Sequence, residues 1–129
     1  MREFSPSAIE ELVPDARALS SPYLEFLRTG PMSVGVYVLA AGAVDAQSPH
    51  AEDELYFVVR GQGRFRNGET EGPVRAGDVL YVPAHRPHRF AAIEEELVLL
   101  VVFAPPESAA PTPPVERSGP DRPGAPPSR

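Results

Sequence analysis

Hydrophobic and polar positions along the chain follow two periods. Up to residue 31 the apolar residues recur at helical spacing. Ile9, Leu12 and Val13 form one stripe behind Ser7 and Glu10, which stand at the spacing of a capping box, and Pro14 is expected to end this short helix. Ser21-Pro22 opens a second predicted helix with proline in its favoured first turn. Tyr23, Leu24, Phe26 and Leu27 supply its buried side, and Gly30-Pro31 stops it. From Ser33 the period becomes that of an extended chain: Val34, Val36 and Val38 alternate with Gly35, Tyr37 and Leu39 until Gly42. Leu55 to Arg60 is rich in aromatic and β-branched residues, Gly61-Gln62-Gly63 reads as a tight turn into Arg64-Phe65-Arg66, and Asn67-Gly68 is a hairpin signal. Val79 to Val82 is a strand closed by Pro83. His88 to Ile93 and Leu97 to Phe103 are two more, with Glu94-Glu95-Glu96 as a solvated turn between them. Short strands separated by Gly and Pro, with helices confined to the front, predict an all-β antiparallel barrel or sandwich.

Composition divides the chain into three parts: a helical arm over 1–31, a β-barrel over 32–104 and a Pro-rich tail over 105–129. The tail holds nine prolines and almost nothing apolar, so it is expected to be disordered or extended. At 129 residues the chain is one domain with room for a real core. A net charge of −6 argues against nucleic acid as partner. Without cysteine there is no disulfide, no thiolate nucleophile and no sulfur ligand, so any metal must be held by nitrogen and oxygen. The N-terminus lacks the apolar core of a signal peptide, and the longest apolar run, Leu97 to Ala104, is far shorter than the ~20 residues that span a bilayer. A cytoplasmic protein with no membrane partner is expected.

The three histidines, His50, His85 and His88, fall in two short stretches, and Glu54 heads an apolar strand between them. A carboxylate placed there is costly unless something positive meets it. Glu54, Tyr56 and Val58 share one strand face; Leu55, Phe57 and Val59 share the other, which suits packing between sheets. Convergence of His50, Glu54 and His88 yields two imidazoles and a carboxylate, a set suited to non-haem iron and tolerant of Mn, Ni, Cu or Zn. Competing readings are available. His50 caps a strand, Glu54 pairs with Arg64 or Arg89, Glu52 and Asp53 form a solvated charge pair, and the N-terminal arm packs on the barrel or on a second subunit rather than forming a lid.

The residues from Ser33 to Phe103 resemble the cupins, whose first motif is G-x5-H-x-H-x3/4-E-x6-G and whose second is G-x5-P-x-G-x2-H-x3-N. Gly42, His50, Glu54 and Gly61 fall on the first, and Gly77, Pro83 and His88 on the second. The resemblance implies a small jelly-roll barrel, a metal held inside by the motif histidines and glutamate, and a homodimer. Three positions depart from the motifs. Ser48 replaces the first histidine, so Gln47 or a water is expected in that ligand place. His85 replaces a glycine, and Ala92 replaces the terminal asparagine in what reads as a neutral change. The expected activity is dioxygenase-, isomerase- or decarboxylase-like chemistry on a small organic molecule, with Glu54, Tyr56 or His85 as acid–base candidates. The alternatives are a binding module without turnover and a structural barrel with a degenerate site.

Overall fold

A computed structural model describes residues 8–45 and 49–108. Among the described residues one helix precedes six strands: α1 (Ile9–Ala18), β1 (Tyr23–Arg28), β2 (Ser33–Leu39), β3 (Asp53–Asn67), β4 (Thr70–Arg75), β5 (Val79–Val82) and β6 (His88–Ala104). All strand pairings are antiparallel, in the order β1-β2-β6-β3-β4, with β5 also on β3. The long strands β3 and β6 pair along nearly their whole length. Glu54 lies opposite Phe103 at one end of this ribbon and His88 opposite Asn67 at the other. Yet the Glu54 and His88 side chains are 3.0 Å apart. The ribbon therefore curls back on itself and closes the sheet into a jelly-roll barrel.

The curl is built from bulges. On β3 the buried positions are Glu54, Tyr56 and Val58, then Gly63 and Phe65, so the inward parity changes between residues 58 and 63, where the register with β6 shifts repeatedly. Gly61, at φ 98°, sits in that irregular stretch. Any Cβ there would overlap the backbone carbonyl of Glu96 and lie 2.8 Å from Leu97 Cα. On β6 the inward positions change from His88 and Phe90 to Ile93, Leu97, Leu99, Val101 and Phe103, with Ala92 at φ 47° where they change. The predicted tight turn at residues 61–63 and the predicted solvated turn at residues 94–96 are thus both internal to strands. A bulge interrupts alternation as a turn does, but the chain keeps its direction and its ladder.

Two further expectations are corrected. The predicted second helix is the edge strand β1, paired with β2 from Tyr23↔Tyr37 to Arg28↔Ser33. A bulge between Glu25 and Leu27 breaks its alternation, which left apolar residues at helix-like spacing. Pro14 does not end α1 but lies inside it, and Ala8 occupies the N-cap without a side-chain bond, while Ser7 falls outside the described residues. An interior proline costs about 3 kcal/mol. Contacts on both sides of it offset that cost. Val13 and Ala16 are buried against Val36, Val38 and Val98, on the outer face of the sheet. Glu10 accepts from Arg60 at 3.0 Å and Arg17 donates to Glu96 at 2.8 Å. The arm thus packs on its own barrel wall.

The inner face is filled by Tyr37, Tyr56, Phe65, Phe90, Leu97, Leu99 and Phe103, among others. The face expected to pack between sheets, Leu55 and Phe57 with Val59, instead points outward: Leu55 and Phe57 are each 40% exposed. The Asn67-Gly68 signal marks a true hairpin, Asn67 pairing with Thr70 across Gly68 and Glu69. Among the described residues no helix is long and apolar enough to cross a membrane.

Gly61→Ala should destabilise the barrel by roughly 2–5 kcal/mol, combining backbone strain with overpacking. Gly72→Ala, where a Cβ meets nothing within 4 Å, should cost far less in the same urea titration. Hydrogen bonding to Arg60 lowers the Glu10 carboxyl below the usual carboxylate range, and bonding to Arg17 does the same for Glu96. A lowered folded-state value gives stability that is complete above the unfolded value of about 4.3 and is lost as pH falls through the folded one. Glu96→Gln should therefore shrink the drop in urea midpoint between neutral and acid pH, and added salt should weaken the effect.

Candidate metal centre

Glu54 projects inward from the start of β3, where β5 and β6 flank it, and His88 projects inward from the first residue of β6. His50 lies in the segment leading into β3. The His85 backbone N–H donates to the His50 carbonyl at 2.6 Å, which ties the segment before β3 to the turn before β6. His88 Nε2 is 3.0 Å from Glu54 Oε1, and His50 Nε2 is 4.0 Å from the same oxygen. One ligand atom from each of the three residues lies within 4.8 Å of the other two. The side chains are 9%, 1% and 1% exposed for His50, Glu54 and His88. The structure brings together the three residues predicted to converge.

The rings are turned alike. His88 Nδ1 lies 2.9 Å from the Arg86 carbonyl, an acceptor only, so Nδ1 carries a proton and Nε2 is the nitrogen that faces Glu54. His50 presents Nε2 to Glu54 and Nδ1 to Glu107, whose Oε2 is 4.0 Å away. Aromatic rings wall the centre, with Phe103 5.1 Å from the His50 ring and Tyr56 and Phe65 6.1 and 6.2 Å from the His88 ring. The expected alternative of an arginine partner for Glu54 is not what the structure holds. Arg64 pairs outside with Glu71 at 3.1 Å, and Arg89 is exposed. Glu54 instead faces the two imidazoles.

The set fits a metal ion. His88 Nε2 is buried and makes no hydrogen bond among the described residues, the state of a nitrogen reserved for a ligand bond. Atoms bound to one ion at about 2.1 Å can be no more than about 4.2 Å apart, and both measured separations from Glu54 satisfy this. Two imidazoles and a carboxylate leave positions open for other ligands.

The remaining candidates are placed as follows. Tyr56 is fully buried beside His88, whereas the His85 side chain is exposed and only its backbone contributes to the centre. Gln47 and Ser48 lie outside the described residues. Glu52 is not part of a solvated pair: it is 4% exposed and accepts from Ser108 N–H at 2.9 Å. Asp53 stays exposed and accepts from Ala84 N–H.

Two acids escaped sequence reasoning. Asp45 is 2% exposed and accepts from Tyr37 Oη at 2.7 Å and from Phe90 N–H at 2.8 Å, which fixes the chain ahead of His50 to the core. Glu107 lies in the segment assigned to the tail, yet residues 105–108 dock on the barrel and Glu107 is 5% exposed. Residues 109–129 lie outside the described residues. No local pattern marked Asp45 or Glu107, because their partners come from distant strands.

The two departures on the second motif also have a structural meaning. His85, at φ 70°, and Ala92, at φ 47°, both stand in the left-handed region, where the motifs carry Gly and Asn. Those residue types adopt it most easily. The expectation that Ala92 is a neutral replacement is therefore corrected.

Comparison with known proteins agrees with this geometry. The sequence profile of the cupin domain family matches residues 35–103. The uncharacterized protein SCO3923 of Streptomyces coelicolor is 49% identical over 100 residues, 78% of this chain and 95% of its own. Among solved structures, BH2720 from Bacillus halodurans superposes with a TM-score of 0.68 at 18% identity, over 82% of this chain and 83% of its own. The DMSP lyase DddQ from Ruegeria pomeroyi superposes with a TM-score of 0.55 at 22% identity, over 59% of this chain and 39% of its own.

Ala92→Asn, at an exposed position, should raise the free energy of unfolding by up to about 1 kcal/mol by removing left-handed strain. Chemical denaturation checks this, and an unchanged or lower midpoint would count against strain at residue 92.

Proposed function

The chain belongs to the cupin domain family, and from that premise we propose that it binds a divalent transition metal through His50, Glu54 and His88 and acts there on a small organic molecule. The observation that carries the proposal is the convergence of two imidazole nitrogens and a carboxylate oxygen inside the barrel. The donor set suits iron, manganese, nickel, copper or zinc. When bound, such an ion polarises a substrate oxygen and, if redox-active, supports dioxygenase-like chemistry beside isomerase- or decarboxylase-like steps.

The chain's own residues do the rest. The Arg86 carbonyl holds His88 in the tautomer that leaves Nε2 free to ligate. Phe103, Phe65 and Tyr56 keep bulk water from the centre and lower its dielectric, which strengthens every charge interaction there. Glu54 and Tyr56 are the acid–base candidates within the barrel, since the His85 ring faces solvent. The same fold carries a lyase in DddQ.

One observation favours a second reading, a binding module without turnover: the three candidate ligands are at most 9% exposed, which leaves little room for a substrate. For quaternary structure we propose a homodimer. Leu55 and Phe57 on β3 pair with Tyr81 and Val79 on β5, and all four are exposed outward as one apolar patch.

Protein purified without chelator should contain a stoichiometric divalent metal by elemental analysis. His88→Ala should lose most of it while keeping its β-sheet circular dichroism, and an unchanged metal content would refute the ligand assignment. Oxygen uptake by iron- or manganese-loaded protein with diols or β-diketones would distinguish the enzyme from the binding module.

A further inference from the structure

We propose that Glu107 is a positioning residue of the metal centre: its carboxylate receives the Nδ1–H of His50 and so holds that ring with Nε2 aimed at Glu54 and His88. The proposal rests on the metal-centre reading above and adds to it a residue outside both motifs and outside the region matched by the family profile.

The argument begins with the backbone. Beyond the last residue of β6 the chain does not leave the barrel. Glu107 N–H donates to Ser33 Oγ at 2.9 Å, Arg28 Nη2 donates to the Glu107 carbonyl at 2.8 Å, and Ser108 N–H donates to Glu52 Oε2 at 2.9 Å. Ser33 and Glu52 are themselves buried. Three side chains from β1, β2 and the lead-in to β3 thus pin two consecutive residues. The Glu107 side chain is directed inward from this strap, and the residue is 5% exposed. Burial of a carboxylate costs several kcal/mol unless donors meet it.

The strap brings this carboxylate up to the His50 ring. Glu107 Oε2 lies 4.0 Å from Nδ1, the nitrogen remote from Glu54. A ring rotation that shortens the gap by about 1 Å makes a hydrogen bond. His88 provides the internal comparison, since its Nδ1 is held by the Arg86 carbonyl at 2.9 Å while Nε2 faces Glu54. Both rings then have an oxygen behind and the shared oxygen of Glu54 in front. Glu107 is not among the converging ligand atoms, so its place is behind the ring. A carboxylate there fixes the tautomer, orients the ring and makes Nε2 a stronger donor.

The test is zinc binding by the full chain, measured by chelator competition, together with the imidazole N–H proton resonances of the zinc-loaded protein. Glu107→Ala should weaken zinc binding about 10–100-fold, and Glu107→Gln, which keeps an acceptor, should weaken it less. Wild type should show a downfield His50 Nδ1–H resonance that moves upfield in Glu107→Gln, a change of acceptor that mere loosening of the chain end would not reproduce. Ser33→Ala, which releases the strap but keeps the carboxylate, should fall between. Wild-type affinity in both Glu107 variants, or an unchanged His50 resonance, would overturn the role of Glu107 and leave the metal centre standing. The same holds for a variant of lowered melting temperature that keeps wild-type affinity while folded. Failure of the wild type to take up zinc, iron or manganese would instead defeat the metal centre itself, and this role with it.

Discussion

The pairing of β3 with β6 is the constraint on which the rest depends. These strands bring Glu54 and His88 from opposite ends of one ribbon to 3.0 Å. A straight ribbon with strict alternation would keep those ends far apart. Displaced register around Gly61 and around Ala92 shifts the inward face by one residue on each strand. As a result one continuous ribbon presents Tyr56, Phe65, Phe90 and Phe103 to a single core. Each such side chain contributes about 1.5–3 kcal/mol when fully buried, which offsets the cost of holding polar groups among them.

The signs of the charges are segregated. Among the described residues the buried acidic and basic side chains are Asp45, Glu52, Glu54, Glu107 and His88, and no arginine joins them. The arginines make their ion pairs on the outside, Arg17 with Glu96, Arg60 with Glu10 and Arg64 with Glu71. Inside, Asp45 and Glu52 accept from backbone N–H groups and the Tyr37 hydroxyl, and Glu54 faces imidazole nitrogens. Such an interior is electronegative, and the convergence of His50, Glu54 and His88 is where a cation gains most from it.

Much of this was legible in the chain. Gly42, His50, Glu54, Gly61, Gly77, Pro83 and His88 sit at fixed offsets, and each has a local cause: a glycine at positive φ, a proline closing a strand or an inward-facing polar side chain. Where reading failed, the cause was non-local or the local pattern had two meanings. Bulges at Gly61 and Ala92 resemble turns, and the bulge in β1 makes Tyr23, Leu24, Phe26 and Leu27 look helical. Pro14 remains within a helix whose Val13 and Ala16 are buried against the sheet on either side of it. The apolar face of Leu55 and Phe57 gave no sign that it points outward. Asp45 and Glu107 sit in unpatterned segments, and only the folded chain shows which donors they reach.

The strap behind His50 hangs partly from an edge. Arg28 closes β1, the outermost strand of the sheet, and the same guanidinium that grips the Glu107 carbonyl also pairs with Glu25. Edge strands fray at a small fraction of the free energy needed to melt a whole domain. A brief detachment of that strand end therefore relaxes the cover over the interior while the ribbon of β3 and β6 stays shut. Local opening at that rim is thus governed by a smaller free energy than the melting of the barrel.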